Sequence, residues 1–220
     1  MIAKDLIDYD IPLLNKEDKV SKALELMEEF ECTRLPVVVS EGYYAGFLEE
    51  KIIINCDGKK ISDFRLIGEN GQIDQGSHYY GIIKCALEFD LPLISIKDDH
   101  GLYLGAVPTV SAFETFASCS ALLTPGGIIV LSLNNKDYSF SEIGRIIENS
   151  DAQIINSQIS IDPNNNDKIW LTLKLNKEDI SHLISILKFS GYKIDRYFST
   201  HVNHENIKER YDSLMNYLKI

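Results

Sequence analysis

Two stretches of the chain carry the same order of apolar and polar positions. "LPVVVSEGYYAGFLEE" (residues 35–50) and "LPLISIKDDHGLYLGAVP" (91–108) each run from a proline through an apolar strand-length segment, a polar turn and a second apolar segment closing on a glycine. Pro36 aligns with Pro92 at an offset of 56 and Gly46 with Gly105 at 59, so the second turn is expected to be three residues longer. An insertion costs least in a turn. Ahead of the first unit, Val20, Ala23, Leu24, Met27 and Glu31 fall at helical spacing, with the apolar members on one stripe. Counting back from the second proline, Tyr80, Ile82, Ile83 and Ala86 take the places of Leu24, Leu26, Met27 and Phe30. Further helical segments are expected near Glu50–Ile54 and Val110–Ala117. Two such repeats bury their apolar faces against each other and form one domain.

After "TPGG" the pattern changes. Ile128–Leu133 is a continuous apolar run, and Ile143, Ile146 and Ile147 lie on a helical stripe. Ile155, Ser157, Ile159 and Ile161 alternate with Ile154, Asn156, Gln158 and Ser160 in a mainly one-sided strand, "DPNNND" makes a turn, and Ile169, Leu171, Leu173 and Leu175 alternate strictly. Ile180, Leu183, Ile184 and Leu187 form a second helix ended by Gly191, and "YKIDRYF" is a last strand. The order βαββαβ predicts a ferredoxin-like antiparallel sheet with two helices on one face. Beyond it, Ile207, Tyr211, Leu214 and Leu218 mark a terminal amphipathic helix, expected to dock within the chain or a dimer.

Charge narrows the class of partner. The net charge is −11, which argues against a nucleic-acid backbone, since Lys and Arg supply most of that affinity. Cys32, Cys56, Cys85 and Cys119 include no C-x-x-C pair, so neither a zinc site nor a redox dithiol is expected, and they read as small apolar residues in or near a core. A polar N-terminal stretch without an apolar signal core, together with reduced thiols, predicts a cytoplasmic protein. The most apolar stretch, Ala121–Leu133, is too short to span a bilayer, so no membrane role is expected.

The first half resembles a tandem pair of CBS domains, on the helical stripe followed by L-P-V-V, a turn and "GFL". The resemblance covers about residues 1–118, with repeat 1 at about 1–58 and repeat 2 at about 59–118. It implies adenosine-nucleotide binding in the cleft between repeats and regulation of an attached or partner protein. In that family a hydroxyl three residues after the glycine meets phosphate, and an Asp three residues further meets ribose. Here "GFLEEKI" puts Glu49 and Ile52 in those places, and "GAVPTVS" puts Pro108 and Ser111 there. A carboxylate repels phosphate and isoleucine accepts no hydrogen bond, and each lost polar partner costs about 1–3 kcal/mol. The cleft candidates are therefore Arg34, Glu49, Pro108, Thr109 and Ser111, and no cofactor is expected: an adenosine nucleotide is what the resemblance implies, and the residues present argue against it.

Past a linker at 119–126, residues 127–199 resemble an ACT domain, and the domain order is similar to that of the CBS–ACT proteins associated with acetoin utilisation in bacteria. The fold class expected is thus α/β and α+β: a CBS pair of two βαββα-type repeats, a ferredoxin-like βαββαβ ACT domain, and a helix over 200–220. The family's amino-acid site at the first strand–helix turn puts Asn135 at its acidic position and Tyr138 at its glycine, where a side chain obstructs close approach. Both resemblances imply a non-catalytic regulatory or ligand-sensing protein, homodimeric, with an unidentified regulated protein as partner; the alternative is a ligand-free scaffold on the same fold.

Other chemistry is not encoded at recognisable spacing. His201 and His204 form H-x-x-H without the zincin Glu or its i, i+4 spacing. "DPNNNDKIWLTL" imitates a calcium loop, but Asp167 replaces the glycine and Leu173 the bidentate Glu. No phosphate-loop, dinucleotide or nucleophile-elbow motif occurs. No enzyme and no metal site are expected.

Overall fold

A computed structural model describes residues 1–56, 58–163 and 165–199, and the terminal helix expected over 200–220 lies outside them. The chain divides into two units, Met1–Ala117 and Ser118–Ile220.

The first unit holds two copies of one βαββα motif. β1 (Leu14–Asn15), α1 (Val20–Glu29), β2 (Arg34–Val38), β3 (Tyr44–Glu49) and α2 (Glu50–Ile53) are followed by β4 (Gln72–Asp74), α3 (Tyr79–Phe89), β5 (Leu93–Lys97), β6 (Tyr103–Pro108) and α4 (Thr109–Cys119). Each sheet has one parallel and one antiparallel pairing, in the orders β1-β2-β3 and β4-β5-β6. Even the bulges correspond, between Val37 and Val38 and between Ile96 and Lys97.

The register corrects the alignment on prolines. Arg34 faces Glu49 as Leu93 faces Pro108, and Leu14 faces Val37 as Ile73 faces Ile96, so the offset is 59 throughout. The two turns are equally long. Pro36 therefore corresponds to Ser95, and Pro92 to Thr33. Tyr79, Ile82 and Ala86 take the places of Val20, Ala23 and Met27, and all six are buried. Both helices end on a left-handed residue, Glu31 (φ 49°) and Asp90 (φ 52°). Pro36 is tolerated in β2 because β1 pairs only with Val37 and Val38, leaving β2 an edge strand at the proline.

The repeats are not self-contained. The segment leading into repeat 1 packs on repeat 2: Ala3 and Ile7 belong to the core of Ile82, Ile94 and Val107, and Asp8 bridges to Ala106. The segment leading into repeat 2 packs on repeat 1: Ile61 and Leu66 join the core of Val20, Leu35 and Leu48, and Ile67 bridges to Phe47. Gly46 and Gly105 make room for this exchange. A Cβ on Gly46 would stand 2.7 Å from Leu66 Cβ and 2.9 Å from the Ile67 carbonyl oxygen, and one on Gly105 would collide with Ile7.

The second unit runs β7 (Ile128–Asn134), α5 (Phe140–Glu148), β8 (Ile154–Asp162), β9 (Asn165–Leu175), α6 (Ser181–Phe189) and β10 (Lys193–Phe198). Its sheet order is β10-β7-β9-β8, all antiparallel, which is the ferredoxin-like arrangement. Ile129, Leu131, Leu171 and Leu173 are buried against Ile143, Ile147, Leu183 and Leu187 of the two helices. The alternate positions, including Val130, Ser132, Trp170 and Thr172, form the face opposite α5 and α6.

Candidate functional site

At the far end of the first hairpin, β3 closes on Glu49 and the chain turns into α2. The register sets Arg34 opposite Glu49. Arg34 Nε donates to Glu49 Oε1 at 2.8 Å and its Nη2 lies 2.7 Å from the same oxygen, while Lys51 Nζ lies 2.8 Å from Oε2. Glu49 is only 6% exposed. The hydrogen bond from Lys51, reinforced by Arg34 and outweighing the cost of burial, holds its carboxyl below the usual carboxylate range. Both oxygens are engaged, so each of the two cations that would attract a phosphate is paired with the chain's own carboxylate, which cancels one of their two charges and competes with a phosphate for both. Ile52, in the ribose-binding place of the resemblance, packs against the repeat 1 core.

The equivalent position of repeat 2 is uncharged. Leu93 faces Pro108, and Thr109 opens α4. The Thr109 N–H donates to the Pro92 carbonyl at 2.8 Å, as the Glu50 N–H does to Thr33 at 3.0 Å. The Thr109 hydroxyl donates to the Leu91 carbonyl at 2.8 Å. Ser111 is half-buried one turn into α4. The five cleft candidates thus fall into two sets, Arg34 with Glu49 and Pro108 with Thr109 and Ser111, at equivalent places of the two repeats.

In the second unit Asn135 is exposed in a short 3-10 turn after β7, and Tyr138 packs on the core with its ring 6.5 Å from Phe140.

Two grooves were not apparent in the sequence. One, of about 740 Å³, runs between α5 and the edge strand β8 past Phe140, Gly144, Arg145, Glu148 and Asn156. Only the sheet order reveals that β8 is an edge. The other, of about 460 Å³, is apolar and lies between α3 and α4, lined by Tyr80, Ile83, Leu87, Phe113 and Phe116. Its signal is visible at the correct offset: Tyr80 and Leu87 stand where repeat 1 has Ser21 and Glu28.

The cysteines are free thiols. Burial raises Cys32 and Cys85 above the usual thiol range, which keeps them neutral. Cys119 departs from the core reading, being exposed at the end of α4. Among the described residues no cluster of His, Cys, Asp and Glu could hold a metal ion, and no helix is long and apolar enough to cross a membrane. His201 and His204 lie outside those residues.

Paired βαββα repeats with equivalent ends define a CBS-pair architecture, and comparison with known proteins agrees. Residues 3–57 match the family model described as the CBS domain. A CBS domain pair/ACT domain protein from Thermotoga maritima superposes with a TM-score of 0.51 at 17% identity, covering 54% of this chain and 98% of that one. The CBS domains of a transcriptional regulator from Streptococcus pneumoniae give 0.46 at 14% identity, over 52% and 98% of the two chains. No curated protein matches the chain.

Proposed function

We propose that the chain is a non-catalytic regulatory protein that senses a ligand through its CBS pair and an ACT-like C-terminal unit spanning residues 127–199, and that it works as a homodimer. CBS pairs are regulatory, nucleotide-sensing modules as a class, and the Thermotoga maritima protein of like fold combines such a pair with an ACT domain. The observation that carries the reading is the Arg34–Glu49–Lys51 cluster. It keeps the cations at the place of the family's nucleotide site and satisfies them internally. A phosphate entering the repeat 1 place has to displace Glu49 from both cations, which disfavours an ordinary adenosine nucleotide there and favours a ligand of different polarity.

The exchanged lead segments support regulation physically. A ligand that shifts one repeat acts on a core shared with the other, so binding biases the whole pair. The apolar α3–α4 groove, with Leu87 72% exposed, supports the homodimer and also favours the second reading, a ligand-free scaffold.

Thermal unfolding of the full chain against adenine nucleotides, S-adenosylmethionine and the amino acids tests this. A sensed ligand raises the midpoint once it exceeds its dissociation constant. Absence of any rise at millimolar concentrations would sink the sensing reading and leave the scaffold.

A further inference from the structure

The sheet face opposite α5 and α6 carries, among the described residues, lysines without an ion-pair partner in a strongly acidic protein. Cross-strand register places its residues in rows. Lys193, Ser132, Trp170 and Ser160 form one row across β10, β7, β9 and β8, and Asn134 with Lys168 begins the next. At this corner a cleft of about 300 Å³ is lined by Ser132, Asn134, Lys168, Gly191, Tyr192 and Lys193. Lys168 and Lys193 sit on the strands flanking β7, two strand spacings across and two residues along, with backbones roughly 12 Å apart, a gap that two lysine side chains can span from either side of the corner. Among the described residues neither lysine has an ion-pair partner, and the nearby Asp195 is engaged by Arg196 at 3.3 Å. Residues 1–117 carry 21 acidic against 11 basic side chains, whereas residues 118–220 are nearly balanced at 12 against 11, so this corner departs locally from the chain's overall sign.

We propose that this corner binds a small organic phosphate. Lys168 and Lys193 would clamp the dianion, the Ser132 hydroxyl would donate to it, and the Trp170 ring would flank the organic part. Two cations that no described carboxylate pairs with, at the mouth of a cleft, raise the local potential, and phosphate offers enough acceptor oxygens for both ammonium groups and the hydroxyl. A small ligand fits better than a nucleic acid strand. The cleft ends at the sheet corner, and the chain's net charge of −11 opposes a long polyanion. The inference goes beyond the proposed sensing by the CBS pair and does not depend on it.

Trp170 is the only tryptophan in the chain, so its emission reports on this face alone. The full-length chain is titrated with inorganic pyrophosphate at constant ionic strength set by potassium chloride. The expected result is a saturable change in emission. Lys168→Gln and Lys193→Gln each weaken binding about tenfold or more, the scale of one charge-assisted hydrogen bond. Lys188→Gln, on α6, leaves binding unchanged, and unaltered thermal midpoints establish that the variants are folded. A non-saturating response, or one preserved in the Lys168→Gln/Lys193→Gln double variant, overturns the proposal. So does a single-stranded RNA oligomer that binds through these lysines where pyrophosphate does not, or succinate binding as tightly as pyrophosphate.

Discussion

Tyr44 and Tyr103 stack across the repeat boundary, ring centroids 6.3 Å apart and planes 16° from parallel. They are equivalent residues at the 59-residue offset, so the stack marks the pseudo-twofold relation. The adjoining turns meet there too, through the Tyr43–Leu102 bridge and the Tyr103 N–H donating to Gly42. Burial, first among the causes, pushes both phenols above the usual tyrosine range. A phenol whose folded pKa is raised contributes stability below about pH 10, where the unfolded phenol titrates, and loses it as pH rises further. The thermal midpoint should therefore fall above pH 10, and Tyr44→Phe/Tyr103→Phe should flatten that fall. At neutral pH Tyr44→Phe should cost about 1 kcal/mol, because Tyr44 donates to the Gly68 carbonyl at 2.9 Å. An unchanged alkaline slope in the double variant would contradict this.

Glu49 holds the opposite sign. Its carboxyl is lowered, so its contribution is present above about pH 4.3 and disappears as acid protonates it. Glu49→Gln should lower stability by about 1–2 kcal/mol at pH 7, a discounted figure because Arg34 and Lys51 reach solvent. The gap from the parent protein should close between pH 4 and lower values. Glu49→Thr should in addition release two cations and restore a hydroxyl, so calorimetry should detect ATP binding to the variant that the parent lacks. Equal heats from both proteins would refute the idea that Glu49 competes with phosphate for Arg34 and Lys51.

Ser95 is fully buried, and its hydroxyl has no hydrogen-bond partner among the described residues. Ser95→Ala removes an unsatisfied group at almost no packing cost. It should leave stability equal or raise it by about 1 kcal/mol in denaturant titration. A loss of similar size would reveal a partner for the hydroxyl.

Gly46→Ala and Gly105→Ala should each destabilise by about 2 kcal/mol or more, through collision with the exchanged segments. Gly46 also has φ +138°, which adds backbone strain. Deleting residues 1–9 should act selectively: amides of α3 and β6 should lose hydrogen-exchange protection while α1 and β2 keep theirs. Uniform loss across both repeats would speak against the segment's specific place in the second core.

The repeat was legible because strand–turn–strand patterning survives in both copies, and Gly46 and Gly105 were matched correctly. The prolines misled. A three-residue slip rotates a helix by about 300°, moving its apolar stripe only about 60°, so Ile82 and Ile83 fit either alignment. Only the strand register separates 56 from 59. The βαββαβ order of the second unit was readable from period-2 alternation in Ile169–Leu175 and helical spacing in Ile180–Leu187, while the edge position of β8 depends on pairing between distant strands. For the site, residue identities at Glu49 and Pro108 were enough to doubt the usual nucleotide. The sequence did not reveal that Arg34 and Lys51 both close on Glu49, since a salt-bridge partner fifteen residues away is defined by the hairpin register. Nor did it reveal the α3–α4 groove, because Tyr80 and Leu87 stand out only once they are compared with Ser21 and Glu28.

The exchange of lead segments changes what the covalent connection between the repeats is for. Each repeat needs a piece that precedes the other in the chain, so the peptide joining them both fills the repeat 1 core through Ile61 and Leu66 and sets the effective concentration at which the repeats meet. Without it, one repeat would be an open-ended half whose natural complement is any molecule of the same design, and intermolecular swapping would compete with folding in place. The tandem arrangement converts that bimolecular hazard into an intramolecular certainty.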